Sequence, residues 1–253
     1  MSDAMSAEFD TVAEWTADVA VELGPDHHIP AGCRGSGSPA ALDWLVERLD
    51  LASGQTLLDC GAGVGGPAAY AAKRNGVRPL LVEPEAGACR AARTLFAHPV
   101  VRADAAALPV ADGSVDAAWA LGVLCTTEEQ LELLHELLRV TRAPGRIGLL
   151  VLVAAEPLAP AKVPEGNHFP TMDAFHRMVD EAGLRIDDSC GTGQLGPVPG
   201  AWSRRVDAVT AELTARHGDE RAWQQAEHQS ELIGELIADG RISAELFSLR
   251  HRR

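Results

Sequence analysis

The chain has 253 residues, with 36 acidic against 22 basic side chains, a formal net charge of −14, 46% hydrophobic residues and 23% charged ones. That length suits one large α/β domain or two small ones, and the composition is ordinary for a soluble globular protein. The acidity argues against a nucleic-acid backbone or an anionic membrane as the main partner, since both require a basic footprint.

The five cysteines, Cys33, Cys60, Cys89, Cys125 and Cys190, are scattered and contain no C-x-x-C pair. This argues against a disulfide framework or a zinc site and for a reducing, cytoplasmic setting. Met1 to Ala7 lack the basic start and apolar run of a signal peptide, and no apolar run is long enough to span a membrane.

In chain order, Phe9, Val12, Thr16, Val19 and Leu23 recur at helical spacing, which predicts a helix from about Ser6 to Leu23, ended by Gly24-Pro25. His27 to Gly37 reads as irregular. A second helix starts at Ser38 as N-cap with Pro39 in the first turn, and buries Leu42, Leu45, Val46 and Leu49. Strand signals follow at about Thr56–Cys60, Arg78–Glu83, Val100–Ala103, Val115–Leu124 and Arg146–Ala155, with helices after the first, second and fourth. The clearest helix is Thr127–Thr141, stopped by Ala143-Pro144-Gly145. This alternation implies a mostly parallel sheet with helices on both faces and a ligand at the carboxyl ends of its strands.

Beyond Ala155 a Pro/Gly-rich loop covers 156–170 and a helix Met172–Ala182. A sixth strand follows at Leu184–Ser189, and 191–200 is a loop. A polar helical block from Ala201 to Asp239 breaks near His217-Gly218, and a seventh, antiparallel strand lies at Glu245–Arg250. The expected organisation is a single domain: a helical cap in 1–50, a cofactor-binding core in 54–190, a helical lid in 191–240 and the last strand in 241–253.

The chemistry concentrates at Leu57-Leu58-Asp59-Cys60-Gly61-Ala62-Gly63-Val64-Gly65-Gly66-Pro67, which reads as a strand, a glycine turn and a helix start. Glycines let a ligand approach the backbone, and a helix start offers free N–H groups. G-x-G-x-x-G spacing alone is weak and also occurs in nicotinamide-binding folds. Three acids sharpen it. Asp59 stands two residues before Gly61, where a carboxylate suits an amine and repels a pyrophosphate. Glu83 ends the next strand, 24 residues later, and suits a ribose diol. Asp104, followed by Ala105 and Leu108-Pro109, ends the third strand and suits an adenine amine.

With these motifs, and with Leu81-Val82-Glu83-Pro84, Asp112-Gly113-Ser114-Val115-Asp116 and Glu136–Val140 leading to Pro144-Gly145, the sequence resembles the class I S-adenosylmethionine-dependent methyltransferases of the small-molecule, type 11 kind. The resemblance covers about 54–155 well and extends loosely to about 190. It implies a Rossmann-like seven-stranded sheet with an antiparallel last strand, and S-adenosyl-L-methionine as cofactor. Asp59 and the backbone of Gly61, Ala62, Gly63 and Gly65 would hold its methionine part. Glu83 with Pro84 would hold its ribose, Asp104 with Ala105 its adenine, and Leu121 with Gly122 would lie near its sulfonium.

Arg34 sits in a glycine-rich loop where it can pair either with the cofactor carboxylate or as an ordinary surface arginine. An oxygen or ammonium acceptor requires a base; His27, His28, His168, His217 and His228 lie outside the expected core, and His27 and His28, just before that loop, are the favoured candidates. Cys60 and Cys89 read as packed apolar residues, and Cys125 as a residue that can line the acceptor site. No metal site is expected. The implied partner is a small molecule, and a homodimer is left open. The implied reaction is methyl transfer to oxygen or nitrogen of that molecule. The rivals are the same fold and cofactor without transfer (a cyclase or binding protein), and a nicotinamide oxidoreductase, which Asp59 and Asp104 disfavour.

Overall fold

In the computed structural model, residues 7–252 are described. A π-helical segment, Ala7–Val12, leads into α1 (Ala13–Leu23), and α2 (His28–Gly32) and α3 (Pro39–Leu49) follow. Then come β1 (Thr56–Cys60), α4 (Gly66–Asn75), β2 (Arg78–Glu83), α5 (Ala86–Leu95), β3 (Val100–Arg102), β4 (Val115–Leu121), α6 (Gln130–Val140) and β5 (Thr141–Ala154). The chain closes with α7 (Met172–Glu181), β6 (Leu184–Gly191), α8 (Gly200–His217), α9 (Arg221–Ala238) and β7 (Ile242–His251). The seven strands form one sheet in the order β3-β2-β1-β4-β5-β7-β6. The pairs from β3 to β5 are parallel, and β7 is antiparallel to both β5 and β6. Among the described residues, no helix is long and apolar enough to cross a membrane.

Local rules account for most boundaries. Ser38 caps α3 by accepting from the N–H of Ala41 at 3.3 Å, with Pro39 in the first turn. Thr171 does the same for α7, accepting from Ala174 N–H at 3.3 Å. The departures from expectation also have local causes. β4 stops at Leu121 because Gly122 takes φ 84°, a left-handed conformation that ends extended pairing. α6 begins at Gln130 because the Thr127 hydroxyl accepts from the N–H of Glu129, making a turn before the helix. β5 begins at Thr141, which pairs with Val115, and the register then jumps so that Arg146 pairs with Ala117. The Ala143–Gly145 turn is therefore an excursion within the strand. The stretch expected to be irregular before Gly37 contains α2.

The sheet is covered on both faces. Leu133, Leu134 and Leu137 of α6 and Phe175 of α7 pack on one side, where the Phe175 and Phe247 ring centroids lie 4.4 Å apart. Leu42, Leu45 and Leu49 of α3 pack on the other against Trp119 and Leu246. A third core joins the two ends of the sequence. Val12, Ala17 and Ala31 pack with Val209, Leu213 and Trp223 of α8–α9, over Ala88 and Ala91 of α5. Trp15 stacks flat on His217 at 3.9 Å, and ion pairs Arg216–Glu22 (2.7 Å) and Arg205–Asp26 (3.0 Å) brace the same joint. The N-terminal helices and the late α8–α9 hairpin thus form one lid.

Candidate cofactor site

β1 carries Asp59 to its carboxyl end, where the side chain is buried. The chain then turns through Gly61 and Gly63, both left-handed, with φ of 66° and 52°. The N–H groups of Gly61 and Ala62 both donate to the carbonyl of Val82, at 2.8 and 3.1 Å, which hooks the turn onto β2. A Cβ on Gly61 would strike Val123, whereas one on Gly63 would meet nothing within 4 Å. The turn is therefore closed on its inner side and open at Gly63.

Glu83, at the end of β2, reaches back to this turn. One carboxylate oxygen accepts from Gly63 N–H at 2.8 Å and the other from Glu85 N–H at 3.0 Å. Asp104 stands two residues past β3, exposed, with Oδ1 accepting from Ala106 N–H at 2.8 Å. Ala105 beside it is half-buried, and Pro84 follows Glu83 with its carbonyl accepting from Arg102. Leu121 is buried at the end of β4, and the N–H of Gly122 donates to the carbonyl of Leu150 at 2.9 Å. Because the strand order is β3-β2-β1-β4, Asp104, Glu83, Asp59 and Leu121–Gly122 stand in that sequence along one edge of the sheet.

The loop that carries Asp104 is fixed from α6. Glu136 accepts from Leu108 N–H at 2.7 Å, and Arg139 donates to the carbonyls of Leu108 and Val110 and to Asp112. The motifs Leu108-Pro109 and Asp112–Val115 thus serve to hold the third acid's loop in place.

Two carboxylates here are buried without a full counter-charge. Burial pushes Asp59 up to about 7, with the nearby Glu83 charge adding and the Trp119 indole and Ala68 N–H opposing. Among the described residues, Asp59 Oδ2 has no hydrogen-bond partner, and neither does the Trp119 Nε1. The indole is close enough to favour the charged carboxylate without completing a bond of normal geometry. Burial likewise pushes Glu83 up to about 7, against the two N–H groups that favour its charged form.

The guanidinium of Arg34 donates to Glu227 at 3.1 Å and sits 5.2 Å over the Trp223 ring. It lines a cavity of about 310 Å³ inside the lid, together with Thr16, Pro30, Ala31, Val209 and Glu227. The Nδ1 of His27 is buried and has no partner among the described residues. His28 instead sets its ring edge-on to Phe96, with centroids 6.4 Å apart. Cys125 does not line an open site. It is buried, and its sulfur accepts from Leu152 N–H at 3.1 Å, with burial pushing the thiol up to about 12. Cys60 and Cys89 are buried. No group of three or more His, Cys, Asp or Glu among the described residues is arranged to hold a metal ion.

The lid meets the cradle through backbone. A Cβ on Gly66, the first residue of α4, would lie 2.2 Å from the carbonyl carbon of Gly32 and 2.5 Å from Cys33 N. Gly66→Ala is therefore expected to destabilise the protein by about 1–3 kcal/mol. Urea denaturation checks this, since backbone on both sides leaves no side chain free to yield; an unchanged midpoint would contradict the contact.

The sheet order, the antiparallel β7 and the acid-and-glycine edge define the Rossmann-like fold of class I S-adenosylmethionine-dependent methyltransferases. Residues 58–149 match the model of the methyltransferase domain family. It is similar to methyltransferase GfsG of Streptomyces halstedii, 29% identical over 173 residues that cover 60% of this chain and 62% of that one. The chain spans less than two thirds of the length of the curated relatives it matches. Among solved structures, the [4+2]-cyclase SpnF has a TM-score of 0.65 at 22% identity, over 83% of this chain and 79% of that one. Geranyl diphosphate C-methyltransferase from Streptomyces coelicolor A3(2), solved with S-adenosyl-L-homocysteine, has a TM-score of 0.63 at 16% identity, over 84% and 75%. At these identities the likeness to the solved structures is one of fold.

Proposed function

We propose that this protein binds S-adenosylmethionine and transfers its methyl group to an oxygen or nitrogen of a small, uncharged molecule. The observation that carries the reading is the pair of buried carboxylates at adjacent strand ends, one of them with an unpartnered oxygen, beside a glycine turn open at Gly63. A buried, partnerless carboxylate is costly, and a cationic ligand relieves that cost. An ammonium suits Asp59, a diol suits Glu83, and the phosphates of a nicotinamide cofactor suit neither.

In this reading Asp59 and the Gly61–Gly65 backbone hold the methionine part, Glu83 and Pro84 the ribose, Asp104 and Ala105 the adenine, and Leu121–Gly122 border the sulfonium. The cofactor, when bound, supplies a methyl group already activated for displacement. The protein's part is to align the acceptor, exclude water and take a proton. His27 is the preferred base, since its Nδ1 is buried and unpartnered, while the His28 ring packs on Phe96. Arg34 belongs to the acceptor side, since its guanidinium faces the lid cavity and Glu227.

The cavity of about 310 Å³ is at the lower end of small-molecule pocket sizes. Its cation is paired with its anion, and its other walls are apolar or hydroxylated, which favours an uncharged acceptor over a phosphorylated one. The formal net charge of −14 supports a small molecule over a nucleic acid, and a cytoplasmic setting accords with the scattered free cysteines.

Incubation with methyl-labelled S-adenosylmethionine and a fractionated metabolite extract tests the transfer. Label is expected in a small neutral product, and a His27→Ala variant is expected to lose at least about tenfold in rate while still binding the cofactor. Binding without any labelled product would favour the non-methylating alternative, for which the likeness to a cyclase gives a precedent of fold.

A further inference from the structure

Asp59 and Trp119 are register partners on the parallel strands β1 and β4, so their side chains stand side by side on one face of the sheet. Both are buried, at 2% and 0% exposure. One is an acceptor with an unpartnered oxygen, the other a donor-only indole with an unpartnered nitrogen. The next residue along the same row is Gly148 on β5, which offers no side chain. A Cβ there would press on Leu45 at 3.2 Å and on Trp119 at 3.4 Å. The same-face neighbours of Trp119 on its own strand are Ala117 and Leu121, which carry no acceptor. Beyond Gly148 in the row lies Ser248, whose hydroxyl is also buried without a partner.

We infer that Trp119 is the positioning residue of Asp59: its indole N–H donates to one carboxylate oxygen and turns the other toward the ammonium of the cofactor. This rests on the cofactor reading above. Two orphaned groups of opposite type in adjacent register satisfy each other at the cost of a small rotation. An indole hydrogen bond also keeps the carboxylate charged in a place where burial works against charge. Trp119 does not touch the reacting atoms. It acts through Asp59, and its aromatic bulk also fills the α3 face of the sheet.

The test follows the indole ¹⁵N–¹H resonance of Trp119 in the cofactor-free protein from pH 5 to 9, with assignment by its disappearance in Trp119→Phe. The titratable groups near Asp59 are Glu83, Cys33 and Cys60, and burial holds both thiols neutral throughout. The resonance is expected to shift with pH in the native chain and to stay flat in Asp59→Asn, which removes the carboxylate but leaves Glu83 to titrate. Trp119→Phe, which keeps the ring, is expected to weaken S-adenosylhomocysteine binding roughly tenfold and to move the midpoint of its pH dependence upward. A space-filling role alone moves neither.

A pH-independent resonance in the native chain overturns the inference. So does a resonance that responds to Ser248→Ala and not to Asp59→Asn, because the indole would then donate across Gly148. Failure of the native chain to bind the cofactor analogue removes the cofactor reading, whereas the indole titration reports on the Asp59–Trp119 bond in its absence.

Discussion

Asp59→Asn is expected to weaken S-adenosylmethionine binding at least about 100-fold and, at pH 8, to make the cofactor-free protein more stable. The two effects share one cause. In the bound state the carboxylate receives an ammonium in a water-poor cradle, and removing one partner of a buried charge pair costs about 2–5 kcal/mol. In the free state the same carboxylate is buried next to a second buried acid, and the groups that favour its charge, the Trp119 indole and the Ala68 N–H, are neutral. An uncharged amide of the same shape lifts that burden. Titration calorimetry and thermal melts on the same preparation measure both. Unchanged affinity would remove Asp59 from the cofactor site, and a lower melting temperature at pH 8 would show that the carboxylate is satisfied.

The second large effect is a stability that falls as pH rises. Asp59 moves from 3.8 when unfolded to about 7 when folded, and Glu83 from 4.5 to about 7. A raised acid binds more protons folded than unfolded between those values, so each unit of pH across the window removes about 1.4 kcal/mol per group. Stability is therefore highest below about pH 3.8 as far as these two groups are concerned, declines to about pH 7 and levels above it.

Because the two charges repel each other, their contributions do not add, and the loss from pH 5 to pH 8 is on the order of 3–5 kcal/mol. For a chain of this length that lowers the melting temperature by about 10 °C. Groups held the other way do not mask it. The carboxyls of Glu14, Glu136 and Asp188, lowered mainly by hydrogen bonds from arginines, contribute below the window. His98, lowered by burial, contributes an opposing slope below its ordinary range. Saturating S-adenosylmethionine is expected to flatten the decline, since it stabilises the charged forms of both acids. Melts that are level or rise with pH in the free protein would show both acids to be satisfied.

Much of this edge was legible because its signals are local. Asp59, Glu83 and the glycines between them follow from strand ends and turns within a few residues. Ser38-Pro39 marks a helix start for the same reason, and α8–α9 break at His217-Gly218 because a glycine interrupts two polar helices. What escaped depends on distance in the chain. Arg34 pairs with a glutamate 193 residues later, so its loop alone left two destinations open. Trp119 is one more apolar residue in a strand until the pairing of β4 with β1 sets it beside Asp59. Cys125 follows a strand end, as a site residue does, but the carbonyl and N–H of Leu152 draw its sulfur into the core. α2 is a single short turn of helix in a glycine-rich stretch, too brief for periodicity to show.

The place of β7 bears on how the molecule is made. β7 lies between β5 and β6, and among the described residues β6 has no other sheet neighbour. As the chain leaves the ribosome, β3 to β5 can close a five-stranded sheet. β6 must then wait, its backbone donors and acceptors open, while α8 and α9 are synthesised. The final register, nine residues long against β5, completes two strands at once. Clipping the chain after Gly240 would thus cost the sheet both β7 and β6, and would release one anchor of the lid hairpin from the protein body.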